Sequence, residues 1–221
     1  MASLIIFDLD GTLLNTIADL ANSANHALRA NGFPTHPAEA YRWFVGNGVS
    51  KLLERALPEG EKTEENISRL RTSFFPYYKE HDTEYSAPYP GIPALLRLLQ
   101  KRNISVAVAS NKYHAATCKL VAHYFPEVRF AKVLGQREGI APKPNPAIVY
   151  EILAATAVSR GRTLYVGDSD VDMQTALNSG VAACGVTWGF RPRAELEAFQ
   201  PAYMADRPEE IAGIALEKFG D

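Results

Sequence analysis

Two kinds of hydrophobic pattern alternate along this chain. Leu4-Ile5-Ile6-Phe7 is an unbroken apolar run closed by Asp8, and a short run of this kind predicts a strand buried on both faces of a parallel sheet. The segments 104–109, 128–134, 163–166 and 181–186 read in the same way. Between the first of these and the rest, the period changes. Ile17, Leu20, Ala24, Ala27 and Leu28 recur at helical spacing, and Asn31-Gly32 ends that helix. From there to Tyr85 no convincing strand occurs: one helix is expected to begin near Pro37, one to cover 49–57 and one to cover 63–79. Pro88, Pro90, Gly91 and Pro93 then punctuate the chain. Beyond them strands and helices alternate, with helices predicted over 113–121 and 173–178 and another started by Pro144 and Pro146.

Alternating strands and helices imply right-handed crossovers and a mostly parallel sheet. The predicted fold is therefore α/β, a Rossmann-like, mostly parallel sheet core with an inserted all-helical cap. Residues 1–15 and 88–221 are expected to form the core and residues 16–87 the cap. With 47% hydrophobic and 22% charged residues among 221, the chain has an ordinary globular composition. A net charge of −2 without a long basic block argues against nucleic acid or an anionic membrane as partner. No apolar run approaches the ~18 residues of a membrane span, and the N-terminus leads straight into a strand, so a cytoplasmic location is expected. Cys118 and Cys184 have no metal or redox spacing and read as core residues.

The polar residues that follow the predicted strands change the picture. Asp8 and Asp10 are two apart at a strand end, so both carboxylates can face one ligand. Asp10-Gly11 alone would equally make a turn. Other strand ends carry complementary groups: Ser110-Asn111 after the second strand, and Gly167-Asp168-Ser169 with Asp172 after another. Open α/β sheets bind ligands at the carboxyl ends of their strands. Asp8, Asp168 and a phosphate would bring several negative charges together. A hard cation with oxygen ligands, Mg²⁺ above all, is the ordinary solution, and Lys143 would add a fixed positive charge.

In their order, Asp8-x-Asp10-Gly11-Thr12, Ser110, Lys143 and Gly167-Asp168-Ser169-x-x-Asp172 resemble the four motifs of the haloacid dehalogenase superfamily of aspartate-nucleophile phosphatases. One departure is Asn15-Thr16, where many relatives have Asp-Ser. The resemblance implies that Asp8 attacks phosphorus and that Asp10 protonates the leaving oxygen and then activates water. A negative neighbour is expected to favour protonated Asp10. Asp8 and Asp168 would bind the metal by side chain and Asp10 by its backbone carbonyl. Ser110, Asn111, Lys143 and Thr12 would hold phosphoryl oxygens, with Asp172 and Ser169 supporting them. Asp172 also reads as an acid capping a helix start, and Asp170 competes with it for the place near the metal.

Gly46-Asn47-Gly48 entering a helix resembles the cap loop of phosphoglycolate-phosphatase-like members, although a plain turn fits as well. Asn47, Arg42 and Lys51 are the cap's candidates for a substrate anion. A small phosphorylated metabolite, with 2-phosphoglycolate foremost, is the expected partner of a monomer or homodimer. A pyrophosphatase, a sugar-phosphate phosphatase, a phosphomutase and, more distantly, a phosphoaspartate signalling module are the alternatives. Asp10 argues against a dehalogenase, which has no phosphate leaving group to protonate.

Overall fold

The computed structural model describes residues 3–219. In chain order its elements are β1 (Ser3–Phe7), β2 (Leu14–Asn15), α1 (Ile17–Ala30), α2 (Tyr41–Phe44), α3 (Val49–Ala56), α4 (Glu64–His81), β3 (Ala87–Pro88), α5 (Ile92–Lys101), β4 (Ile104–Tyr113) and α6 (His114–Tyr124). There follow β5 (Lys132–Gln136), α7 (Ala147–Thr156), β6 (Thr163–Gly167), α8 (Asp170–Ser179), β7 (Ala182–Val186), α9 (Arg193–Glu197), β8 (Tyr203–Ala205) and α10 (Pro208–Phe219).

Six strands form one sheet in the order β5-β4-β1-β6-β7-β8, with every pairing parallel. From β1 the chain builds first to one side and then to the other, so the strand order reverses around β1. A crevice opens at such a reversal, at the carboxyl ends of the strands. The unbroken apolar run of β1 follows from burial on both faces. Ile5 and Phe7 pack with Leu96, Leu99 and Ile211 on one side, whereas Leu4 and Ile6 pack with Val149, Ile152 and Ala176 on the other.

The segment between β2 and β3 is helical and has its own apolar cluster. Leu20, Ala24 and Leu28 of α1 meet Leu53 of α3 and Leu70, Phe74 and Tyr78 of α4, and Phe190 joins them from the loop after β7. Thr63 starts α4 by accepting the Asn66 N–H at 3.2 Å, which satisfies a donor with no partner inside the helix. Where the segment leaves and rejoins the sheet, β2 and β3 pair antiparallel, Leu14 opposite Pro88 and Asn15 opposite Ala87. Buried Asp19 ties the same crossing by accepting the Ser86 hydroxyl at 2.6 Å and the Ser86 N–H at 2.8 Å.

Several expected boundaries move. The second strand of the sequence reading continues through Ser110-Asn111-Lys112 to Tyr113, because the chain stays extended past a register shift opposite β5. The next begins at Lys132 rather than Val128, since residues 125–131 form turns first. The helix expected from Met173 starts at Asp170, capped by Ser169. Near Pro37 only a 3-10 turn and the four-residue α2 form. Cys184 is buried, while Cys118 is only partly so. Among the described residues no helix is long and apolar enough to cross a membrane.

Candidate active site

Asp8 follows the last residue of β1 and still donates its N–H to the Val166 carbonyl at 2.9 Å. The chain then curls: the Leu9 carbonyl accepts from the N–H groups of Thr12, Leu13 and Leu14 at 3.3, 3.0 and 2.9 Å. Gly11 is required in this turn twice over. Its φ is +90°, and a Cβ there would lie 2.3 Å from Asp168 Oδ2. On the other side of Asp168 stands Gly189, where a Cβ would come within 2.2 Å of the Asp168 Cβ. Asp168 thus occupies a slot between two bare backbones. Thr12 donates its hydroxyl to Asp168 Oδ1 at 2.9 Å, and the Phe190 N–H donates to Oδ2 at 2.7 Å.

Lys143, from the loop before α7, is buried with its Nζ 2.8 Å from Asp8 Oδ1, 2.7 Å from Asp172 Oδ1 and 3.0 Å from Tyr165 Oη. Asp172 performs both tasks read from the sequence. Its Oδ2 accepts the Ser169 hydroxyl at 2.6 Å and N–H at 3.2 Å, closing a capping box on α8, while Oδ1 holds Lys143. Asn111 uses its side chain as a brace. It accepts the Lys143 N–H at 2.8 Å and donates to the Lys143 carbonyl at 3.0 Å and the Gly46 carbonyl at 2.9 Å.

Negative charge outweighs positive charge here. Burial raises the Asp8 pKa well above the carboxylate range; Lys143 pulls it back, and Asp172 and Asp168 push it up further. Asp168 is pushed up to about 7, by burial first and then by Asp172, against the hydrogen bonds from Phe190 and Thr12. Burial alone would lower the Lys143 pKa, but attraction to Asp172 and Asp8 prevails and raises it well above the usual lysine value. One oxygen each from Asp8, Asp168 and Asp172 lie within 4.8 Å of one another. An all-oxygen, charge-rich cluster in a glycine-walled slot fits a hard divalent cation. The sequence reading gave the metal the side chains of Asp8 and Asp168 and the backbone carbonyl of Asp10; the third carboxylate in this cluster is Asp172.

The Asp10 side chain lies outside that cluster. Its Oδ1 accepts the Thr16 hydroxyl at 2.7 Å, and both oxygens lie 3.1 Å from Lys112 Nζ. The negative neighbour expected for Asp10 is replaced at contact distance by a lysine. Thr12, expected on a phosphoryl oxygen, instead has its hydroxyl engaged with Asp168. Asp8, Asp10, Ser110, Asn111, Lys112 and Asp168 line a cavity of about 40 Å³. A second cavity of about 230 Å³ includes Asn47, Arg71 and Gln136, and shares Gly48, Val49 and Asn111 with the first.

The helical candidates do not join the carboxylates. Arg42 donates to the carbonyls of Gly189 at 2.7 Å and Phe190 at 3.3 Å. Asn47 accepts from Arg55 at 2.8 Å, and Lys51 pairs with Glu54 at the surface. Lys112 and Arg191 are the cations the sequence reading missed. Arg191 is buried, lines the smaller cavity and donates to the carbonyls of Arg42 and, at 2.9 Å, Val45. Strand alternation could have found Lys112, two positions beyond Ser110. Nothing local to Gly189-Phe190-Arg191 marks Arg191, because its partners lie far away in the chain.

Residues 5–186 match the model of the haloacid dehalogenase-like hydrolases. The chain belongs to this family. It is 32% identical over 216 residues to the phosphoglycolate phosphatase of Vibrio parahaemolyticus, covering 96% of this chain and 95% of the relative. It is 32% identical over 217 residues to that of Haemophilus influenzae, covering 96% and 97%. A crystal structure from Lactobacillus delbrueckii subsp. bulgaricus superposes with a TM-score of 0.90 at 31% identity, covering 99% of both chains. The α/β architecture and the phosphatase branch of the family expected from the motifs both stand.

Proposed function

We propose that this phosphatase hydrolyses a small phosphomonoester through a phosphoryl group carried on Asp8, with 2-phosphoglycolate the leading substrate. The observation that carries the reading is Lys143, buried and bridging Asp8 and Asp172 beside the cavity where Asp10 and Ser110 also face. An Asp8 oxygen attacks phosphorus, its bond to phosphorus forming as the ester P–O bond breaks. The leaving alkoxide takes a proton from Asp10. In the second half, water attacks the same phosphorus, its proton passes to Asp10, and the P–O bond to Asp8 breaks to release phosphate. Splitting the displacement in two replaces one difficult step with two easier ones. Ser110 and the backbone at Asn111 orient the phosphoryl oxygens, and Lys143 balances their charge. A divalent cation, Mg²⁺ in this reading, held by the side chains of Asp8, Asp168 and Asp172 and the Asp10 carbonyl, supplies positive charge to the phosphoryl group when bound.

In the same reading residues 16–87 form a cap over the core of 1–15 and 88–221, closing the cavity to polymers and expelling water from it. The names of the relatives support 2-phosphoglycolate, and the 40 Å³ cavity favours a compact group. A specific observation supports a second reading. The adjoining 230 Å³ cavity, with Arg71 and Asn47 on its wall, would take a longer leaving group such as a sugar phosphate. Measuring kcat/KM for 2-phosphoglycolate, sugar phosphates, pyrophosphate and a phosphopeptide, with Mg²⁺ and with chelator, tests both. Preference for 2-phosphoglycolate is the expected result. Preference for a sugar phosphate selects the second reading, and preference for the phosphopeptide overturns the closed cap.

A further inference from the structure

Lys112 is not among the four motifs, yet it is buried against the acid on which the proposed proton transfer depends. Both Asp10 oxygens lie 3.1 Å from its Nζ, and its side chain is 3% exposed. The backbone from which it springs is held on three sides. The Lys112 N–H donates to Ser110 Oγ at 3.2 Å, its carbonyl accepts the Thr117 hydroxyl at 3.2 Å, and Gly135 packs so closely that a Cβ there would meet that carbonyl at 2.5 Å. A long side chain launched from a fixed backbone and ending in a two-oxygen contact places a carboxylate rather than following it. Asp10 Oδ1 also accepts the Thr16 hydroxyl at 2.7 Å.

The ammonium has a second neighbour. It lies 4.8 Å from the centre of the Tyr78 ring, which α4 of the helical segment contributes. Tyr78 is buried and its hydroxyl has no hydrogen-bond partner among the described residues. Its ring stacks on Phe74 with centroids 5.3 Å apart, so the face that meets the Lys112 ammonium is fixed by packing within the helical segment.

We propose that Lys112 is a positioning residue that holds the Asp10 carboxylate at the cavity, and that the Tyr78 ring makes this hold depend on the seating of α4. The inference rests on the acid–base reading of Asp10. Tyr78 of α4, Lys112 of β4 and Asp10 in the turn after β1 thus form a relay: α4 seats the ring, the ring seats the ammonium, and the ammonium seats the acid.

The test compares an alkyl phosphate, whose leaving group needs a proton, with p-nitrophenyl phosphate, whose leaving group does not. Lys112→Met is expected to lower kcat on the alkyl ester on the order of 10- to 100-fold, to leave kcat on the aryl ester within about threefold and to leave KM unchanged. Lys112→Arg is expected to restore part of the loss. Tyr78→Phe keeps the face and should behave as wild type with no loss of Tm. Tyr78→Leu should reproduce the leaving-group bias of Lys112→Met, and the double variant should fall no further than Lys112→Met alone. A crystal structure of Lys112→Met should show the Asp10 carboxylate displaced from the cavity. Equal losses on both esters, a raised KM at unchanged kcat, or an unmoved Asp10 in that crystal structure overturns the proposal. If the wild type cleaves neither ester, the small-phosphomonoester reading falls and the position of Asp10 in the crystal structure alone decides this one.

Discussion

The sheet and the helical segment hold their polar side chains in opposite ways. At the sheet, residues in or after the last positions of different strands meet one another: Asp8 with Lys143, Lys143 with Asp172, Thr12 with Asp168, and Asp10 with Lys112, which lies near the end of β4. In the segment between β2 and β3, Arg42 and Arg55 reach backbone carbonyls and Lys51 an acid on its own helix. Parallel strands converge by construction at their carboxyl ends, so polar groups placed there are brought together with no further instruction. Helix faces carry no such common end. What they present depends on how each helix is rolled against its neighbours, and that is settled by packing.

The contrast predicts steep losses at the strand ends and shallow ones on the helices. Asp8→Asn should show the largest effect, a fall in kcat of at least about a thousandfold. Circular dichroism and thermal melting should remain those of the wild type, because a carboxyl group that burial disfavours is replaced by a neutral one of the same shape. Turnover retained by the folded variant would end the covalent mechanism.

Next in size is stability. Lys143→Met leaves Asp8 and Asp172 buried without their shared cation and should cost about 3–5 kcal/mol in urea denaturation near neutral pH. Lys51→Ala, at an exposed pair, should stay within about 0.5 kcal/mol. Similar costs for the two lysines would erase the distinction between the regions.

The smallest expected effect is on the pH dependence of the chelator-treated protein. Asp8 and Asp168 have folded pKa values above the unfolded one, Asp168 at about 7 against 3.8. Their contribution to stability is fully present below the unfolded value and is lost as pH rises through the folded one. Between pH 5 and 7.5, Tm should therefore fall, by on the order of 5–10 °C at about 2–4 °C per kcal/mol for a chain of this size. Asp168→Asn should flatten that slope. An unchanged slope in the variant would remove Asp168 as its source.

How much of the molecule can be read from the sequence follows the same division. Strand ends such as Asp8 and Asp168 are legible because a short apolar run, an acid and a glycine state both the element and its limit. Asp172 is legible twice, as cap and as charge partner, since one carboxylate has two oxygens to offer. Lys112 was within reach and was lost by ending its strand at Ala109, which removed the alternation that sets it beside Ser110. Arg42 and Asn47 could not be placed. Their partners, the Gly189 and Phe190 carbonyls and Arg55, are determined by how α2 lies on its neighbours, and no local pattern encodes that.

One residue belongs to both regions. Phe190 gives its N–H to Asp168 and its carbonyl to Arg42, and the next residue, Arg191, returns two hydrogen bonds to α2 and the residue just after it. For protein engineering this makes the helical segment less of an exchangeable module than its single insertion point suggests. A chimera that grafts residues 16–87 onto a foreign sheet, or replaces them, must carry a matching Gly189-Phe190-Arg191 as well, or the graft will meet a loop built for another partner.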